Sequence, residues 1–129
     1  MPMDPRGTFA RLIPAMLAGD REVLAELIDE DVTWHLPPFA HAKPRRGRAK
    51  AIDFLCAAPA AFYQPGTLAL TPEIQAFEAD RAILVGWMTG TTKSGKPYAN
   101  RYAFAMRFRD GRVIEAWEVL DSKELFDQL

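Results

Sequence analysis

The chain has 129 residues, of which 49% are hydrophobic and 26% charged, the composition of a single globular domain over residues 1–129. The 16 Lys and Arg side chains oppose 17 Asp and Glu, a formal net charge of -1, so charge gives no indication of nucleic acid or a membrane surface as a partner. Charged residues interrupt the N-terminal apolar segment before it could span a membrane or form a signal peptide, and we expect a cytoplasmic protein.

Two helices and a short strand are predicted first. Apolar residues recur at helical spacing over 9–17 and Gly19 ends this helix, while Pro14 inside it predicts a kink or a break. Asp20 is a candidate N-cap for a second, shorter helix. The stretch "DVTWHLPP" at 31–38 then predicts a brief strand that its two prolines end.

The rest of the chain is predicted to contain one helix, a run of strands and a final helix. A loop, "FAHAKPRRGR", leads to the helix, and "KSGK" and "RDGR" are tight turns between strands. The helix is expected at about 49–62, the strands at about 68–78, 82–92, 98–109 and 113–121, and the final helix at about 122–129. This order indicates an α+β fold with the helices packed on one face of an antiparallel sheet.

The longest predicted strand, "YANRYAFAMRFR" at 98–109, indicates which of its faces is buried. Its even-numbered positions carry mostly large aromatic and apolar residues, and its odd-numbered positions carry alanines and arginines. Because successive side chains of a strand point to opposite faces, we expect the even-numbered residues to face the helices.

The order helix, "GD", helix, "DEDVTWHLP", a loop ending in "GR", helix and then "GKPYANRYAFAMRFRDGRVIEAWEVLD" resembles the SnoaL-like branch of the nuclear transport factor two superfamily. That superfamily also contains ketosteroid isomerase, limonene-epoxide hydrolase and polyketide cyclases. The resemblance covers nearly the whole chain. It implies a cystatin-like conical barrel, in which a curved, mainly antiparallel sheet wraps around about three helices, with an apolar pocket inside the cone and a homodimeric assembly.

The resemblance also argues against several activities when the catalytic positions of the related enzymes are compared with the residues found here. The ketosteroid isomerases need an aspartate base and a protonated acid, and the resemblance places these on Leu36 and Phe104, which cannot transfer a proton. The epoxide hydrolases use an Arg and Asp pair whose positions fall near Val85 and Trp87. Only the third hydrolase position, an aspartate that ends the last strand, is kept here, as Asp121.

Asp121 has two interpretations, which the sequence leaves open. Alternation along "GRVIEAWEVLD" places Trp117, Val119 and Asp121 on one face, and if that face is interior the carboxylate is desolvated and suited to general acid or base work. The following "DSKE" is also a capping-box signature, with Asp121 as the N-cap of the final helix and Glu124 three residues later.

The same alternation and the resemblance predict the lining of the pocket. Polar tips of Tyr98, Asn100 or Tyr102 could polarise a substrate carbonyl, although buried tyrosines often serve only as core anchors. The residues taken as substrate-binding are Trp34, Trp87, Tyr98, Asn100, Tyr102, Phe104, Trp117 and Val119. Val85 is also expected in the interior.

The remaining candidates are weaker. We expect His35 on the outer face of the sheet, His41 in a solvated loop and Cys56 as a buried, inert thiol. The basic stretch "KPRRGRAK", 43–50, is either a solvated loop or an anion site at the start of the following helix. Neither a metal-ligand set nor a nucleotide motif is present, so we expect no metal and no cofactor.

The sequence therefore predicts a cofactor-free protein that binds a small, mostly apolar molecule in its cone. If the protein is an enzyme, it is an isomerase, cyclase or hydrolase with Asp121 as the acid or base. The alternatives are a non-catalytic small-ligand-binding module and a dimeric assembly module. The dimer is expected to form through the outer face of the sheet, which carries Ala99, Arg101, Ala103, Ala105 and Arg107, with its arginines pairing across the contact with acids such as Glu118.

Overall fold

A computed structural model of the protein describes residues 4–37 and 43–129. Within these residues the helices and most of the strands form close to their predicted positions. The elements are α1 (Pro5–Ala18), α2 (Arg21–Leu27), β1 (Ile28–His35), β2 (Arg45–Arg46), α3 (Arg48–Phe62), β3 (Ala69–Glu78), β4 (Arg81–Thr91), β5 (Pro97–Arg109), β6 (Arg112–Leu120) and α4 (Ser122–Gln128). Two differences from expectation are that β1 starts directly after α2 and that β2 forms within the predicted loop.

The N-terminal helices begin and end as their sequence signals indicate. The side chain of Asp20 accepts a hydrogen bond from the backbone N–H of Val23 at 3.2 Å and so caps α2. Gly19 ends α1 in the left-handed conformation, with φ of 65°, which glycine adopts without steric cost. Pro14 lies inside α1 without ending it.

The strands form one six-stranded sheet in the order β2-β1-β6-β5-β4-β3. Strands β1 and β6 pair in parallel, and the other neighbours pair antiparallel. The sheet is curved but does not close, because β2 and β3 remain its two edges. The predicted α+β fold, a curved and mainly antiparallel sheet wrapped around helices, is confirmed, and the sheet is open at its two edges.

The hydrophobic core lies between the helices and the concave face of the sheet, which we call the inner face. The helices contribute buried residues such as Phe9, Leu12 and Leu55. The even-numbered residues of β5 face this core as predicted and are all buried: Tyr98, Asn100, Tyr102, Phe104, Met106 and Phe108.

A β-bulge in β6 changes which of its residues face inward. In the pairing with β5, Phe108 lies opposite Val113 but Arg107 lies opposite Glu115, so Ile114 is an extra residue on β6. A one-residue insertion exchanges the two faces of a strand beyond it. From the bulge onward Ala116, Glu118 and Leu120 therefore share the inner face, each opposite a buried residue of β5.

The bulge overturns the prediction that Trp117 and Val119 face the interior. Both lie on the convex, outer face of the sheet, where Val119 is 49% exposed. The prediction was wrong because it assumed that inward and outward side chains alternate regularly from Val113 to the end of the strand. The outer-face partner proposed for the arginines is also wrong, since Glu118 points inward and Arg101 pairs with Glu73 of its own chain at 2.8 Å.

The interior prediction for Val85 and Trp87 is wrong as well. In the pairing with β5, Leu84 lies opposite Phe104 and Gly86 lies opposite Tyr102, so the even-numbered residues of β4 face inward. Trp87 is 40% exposed on the outer face, with the guanidinium carbon of Arg101 4.8 Å from its ring centroid. The resemblance had indicated two hydrolase positions here, and they do not face the interior.

Candidate functional site

A cavity of about 260 Å³ lies between α1, α3 and the inner face of the sheet. Its wall is almost entirely apolar, with contributions from α1, α3, α4 and four strands, among them Met16, Leu55, Phe62, Met88, Phe104 and Leu120. This volume is just below the range of about 300–1,000 Å³ that is usual for small-molecule pockets. The cavity can therefore hold a small, mostly apolar molecule.

Glu118 is the one carboxylate among the described residues that line this cavity. Burial in the apolar wall raises the pKa of its carboxyl group to about 7, because the charged form loses its hydration. Glu118 keeps a partly exposed surface, and that surface faces the cavity. At neutral pH the group is thus divided between the acid and the carboxylate, which is suitable for both giving and taking a proton.

The indole of Trp34 lies beside Glu118. Trp34 is fully buried, and within the described residues its N–H is the only buried side-chain polar atom without a hydrogen-bond partner. The indole favours the carboxylate form of Glu118 and lowers its pKa, but less than burial raises it. No hydrogen bond of ordinary geometry joins the two groups, so burial is the dominant cause. An unpaired buried N–H costs about 1–3 kcal/mol, which a bound oxygen atom or a small rotation of Glu118 would recover.

A series of hydrogen-bonded polar side chains leads to Tyr102 in the cavity wall. The amide nitrogen of Asn100 donates to the hydroxyl of Tyr98 at 3.0 Å and to the backbone carbonyl of Asp121 at 2.9 Å. The hydroxyls of Tyr98 and Tyr102 are 3.0 Å apart. Because Tyr98 accepts from Asn100, it can donate its own proton to Tyr102, which leaves the Tyr102 proton for the neighbouring hydroxyl of Tyr63 or for a bound ligand. Burial raises the pKa of Tyr102, so this tyrosine stays protonated.

Tyr63 also lines the cavity. It is the C-cap of α3, and its ring centroid lies 4.9 Å from that of Tyr98. Burial raises the pKa of Tyr63, and the charge of Glu118 contributes to the same shift. The cavity therefore has two neutral phenols, Tyr63 and Tyr102, on its wall together with Glu118.

Asp121 does not belong to the cavity. Its side chain is exposed and accepts a hydrogen bond from the backbone N–H of Glu124 at 3.1 Å, as the N-cap of α4. The bulge in β6 turns Glu118 inward and leaves Asp121 beyond the end of the strand. The cap on α4 is therefore present, and the side chain of Asp121 does not point into the cavity as expected.

The structure separates the predicted substrate-binding residues into three groups. Tyr102 and Phe104 line the cavity. Trp34, Tyr98 and Asn100 are buried directly behind that wall. The remaining three, Trp87, Trp117 and Val119, lie on the outer face, away from the cavity. Leu36, where the resemblance placed an isomerase base, does line the cavity.

His35 lies on the outer face, as predicted. Its Nε2 atom is 2.8 Å from the carboxylate of Glu115, and its ring stacks on Trp117 with the centroids 5.0 Å apart. Cys56 is only partly buried, and His41 lies outside the described residues. The other predicted features thus lie apart from the cavity or beyond what the structure describes.

Within residues 4–37 and 43–129, no three His, Cys, Asp or Glu side chains are grouped so that they could hold a metal ion. In the same part of the chain, no helix has the length and hydropathy needed to cross a membrane.

Solved structures similar to this one share its fold over nearly their whole length. Wild-type IdmH of Streptomyces antibioticus, described as a candidate polyketide cyclase, is 27% identical, with 97% of each chain covered and a TM-score of 0.79. A SnoaL-like candidate polyketide cyclase of Jannaschia sp. CCS1 is 20% identical, with 96% of this chain and 90% of the other covered and a TM-score of 0.83. An NTF2-like protein of Burkholderia pseudomallei is 19% identical, with 96% and 95% covered and a TM-score of 0.81.

A search of curated proteins gives no match. The family model of the SnoaL-like domain matches residues 9–116, which include α3, most of α1 and most of the sheet. The chain therefore belongs to the SnoaL-like domain family.

Proposed function

We propose that the protein catalyses proton transfer on a small, mostly apolar carbonyl compound, as an isomerase or a cyclase, with Glu118 as the acid and base. The observation that carries this proposal is a single carboxyl group in an apolar cavity, with a pKa raised to about 7. A general base works best when its pKa is near the working pH. The acid or base role that the sequence suggested for Asp121 thus passes to Glu118, three residues earlier.

The proposed reaction starts with the carboxylate of Glu118 removing a proton from the carbon next to the carbonyl group. The electrons of that C–H bond form an enolate, whose oxygen accepts a hydrogen bond from the Tyr102 hydroxyl. In an isomerisation, protonated Glu118 returns the proton to a different carbon of the enolate. In a cyclisation, the enolate carbon attacks a second carbonyl of the same molecule, and the new alkoxide takes the proton from Glu118.

Two further observations support this choice of reactions. IdmH, which is 27% identical, is described as a candidate polyketide cyclase, and cyclisation through an enolate needs the groups found here. Hydrolysis is not part of the proposal, because Val85 and Trp87, at the hydrolase positions, are on the outer face.

The test uses β-tetralone, a bicyclic apolar ketone whose exchange of α-protons for deuterium in D₂O is followed by NMR. The wild-type protein is expected to accelerate this exchange. Glu118→Gln keeps the shape of the side chain but cannot take a proton, so the acceleration should fall by about 10²-fold or more. Glu115→Gln is the matched control, since it removes a carboxylate of the same strand from the opposite face.

Equal exchange rates in the wild-type protein and in Glu118→Gln would overturn the assignment of the base. Binding of β-tetralone without any acceleration of exchange would instead favour the non-catalytic binding module that the sequence left open. A titration of the bound ketone, monitored on its own resonances, distinguishes this result from a failure to bind.

We also propose that the outer face of the sheet forms a homodimer interface. Several large apolar side chains stand exposed there, with Ile74 at 64% and Ile83 at 47%, next to Trp87 and Val119. Monomeric proteins rarely expose apolar patches of this kind. A second copy, related by a twofold axis, presents the same surface and can cover it.

A further inference from the structure

Among the described residues one cation lines the cavity, Arg45, at the first position of β2. Strand β2 pairs with β1 so that Arg45 lies opposite Trp34, whose indole lies beside Glu118. The guanidinium carbon of Arg45 is 5.7 Å from the centroid of the Phe54 ring, which also lines the cavity. A guanidinium held against an aromatic face keeps the donors at its edge available to a ligand.

The charge of Arg45 is not neutralised by the protein. Among the described residues it makes no ion pair. Arg6, Arg46, Arg48 and Arg112 are also without one, but none of them lines the cavity. The other described arginines each contact a carboxylate within 4 Å: Arg11, Arg21, Arg81, Arg101, Arg107 and Arg109. The stretches 1–3 and 38–42 contain no Asp or Glu in their sequence that could supply one. An unpaired guanidinium on the wall of an apolar cavity is therefore open to an anionic group of a ligand.

Arg45 is exposed and lies at the mouth of the cavity. A shallow groove along the outside of α3 shares Arg45 and Phe54 with the cavity and continues past Lys50 and Asp53. A guanidinium next to Glu118 would lower the pKa of its carboxyl group, but that pKa is set by burial and by Trp34. The cation and the carboxylate thus act on different ends of a bound molecule.

We propose that Arg45 is a specificity-determining residue, and that the cavity takes a small apolar molecule carrying a carboxylate. The carboxylate is held by Arg45 at the mouth, and the apolar body extends inward to Glu118 and Tyr102. The orientation of the reacting end rests on the proposed function, while the preference for an acid rests on Arg45 alone. Arginine is suited to this task because its planar fork matches the two oxygens of a carboxylate.

The test compares naphthalene carboxylate with its neutral amide, which has the same shape, by isothermal titration at neutral pH. The wild-type protein is expected to bind the carboxylate about tenfold more tightly, as for a hydrogen-bonded charge pair that is partly exposed. Arg45→Gln should abolish this preference, and Arg45→Lys, which keeps the charge without the fork, should keep part of it. The matched control is Arg46→Gln, which should keep the full preference, because Arg46 contacts Thr33 at 3.4 Å and does not line the cavity.

Methyl NMR of methionine shows where the probe binds. Met16 and Met88 line the cavity, so their resonances should shift when the carboxylate binds, in the wild-type protein and in Arg46→Gln. A wild-type protein without preference for the carboxylate would overturn the proposal, as would a preference that survives in Arg45→Gln. Neither result depends on proton transfer, whereas a lack of deuterium exchange in β-tetralone would overturn only the role of Glu118.

Discussion

A carboxyl group that titrates near neutral pH inside an apolar wall links stability to pH at the scale of one residue. The folded state raises the pKa of Glu118 to about 7, whereas the unfolded chain gives it the ordinary value of about 4.3. Between these two values the folded protein holds a proton that the unfolded chain has released. The free energy of unfolding therefore falls as the pH rises through this window. This loss of stability, which is the cost of ionising the buried carboxyl group, is complete above about pH 7.

Replacing Glu118 by Gln should remove this penalty. We compare the free energy of unfolding of Glu118→Gln with that of the wild-type protein. This difference should be about 2 kcal/mol more in favour of the variant at pH 8 than at pH 5, a value that allows for partial access of water to Glu118. Urea denaturation of both proteins at the two pH values measures the difference, and other titrating groups cancel in the comparison. A stability difference that is independent of pH would mean that Glu118 is solvated in the folded protein.

At the same scale, the residues explain which part of the site could be predicted. Tyr102 and Phe104 were placed correctly because β5 pairs with β4 without interruption from Pro97 to Arg107, so simple alternation holds. Glu118 was placed on the wrong face because Ile114 is inserted between two inward positions. Nothing in the residue types of "RVIEAWEVL" distinguishes a bulge from a regular strand, since both patterns bury apolar side chains.

Among the elements, α4 is one whose start could be predicted from a local sequence signal alone. The "DSKE" signature predicted the cap because it depends only on residues within one helical turn. Strand β4 shows the opposite case, since the orientation of Trp87 depends on its pairing partners and not on its size. The helix cap could thus be derived from the sequence. The side of the sheet to which the side chains of a strand point could not, because it depends on a pairing register that is set by residues distant in the sequence.

The cap on α4 can be tested with two variants of Asp121. Asn keeps an oxygen that can accept from the Glu124 N–H, so Asp121→Asn should remain close to the wild-type protein in stability. Asp121→Ala loses the acceptor and should lower the free energy of unfolding by about 0.5–2 kcal/mol. Both variants should exchange the protons of β-tetralone at the wild-type rate. Loss of exchange in Asp121→Asn at unchanged stability would return Asp121 to the reaction.

For the whole molecule, the two faces of the sheet are proposed to have separate roles. The polar groups assigned to the reaction lie on the inner face or on the helix packed against it. The exposed apolar surface lies on the outer face, where Ala103 is between Val85 and Val119 on the neighbouring strands. A small residue at the centre of such a surface lets a second sheet approach closely, so its size is decisive for association.

Ala103→Arg should therefore separate assembly from catalysis. A long, charged side chain at this position would hold two sheets apart, and since Ala103 points outward the fold of each chain should persist. Sedimentation at micromolar concentration should show a dimer for the wild-type protein and a monomer for the variant, with unchanged circular dichroism. Ala60→Arg, on the exposed side of α3, is the matched control and should stay dimeric. The monomeric variant should still exchange the protons of β-tetralone, because the cavity is complete within one chain. A wild-type protein that sediments as a monomer would contradict the proposed interface. An Ala103→Arg monomer without exchange activity would show that the site needs the partner subunit.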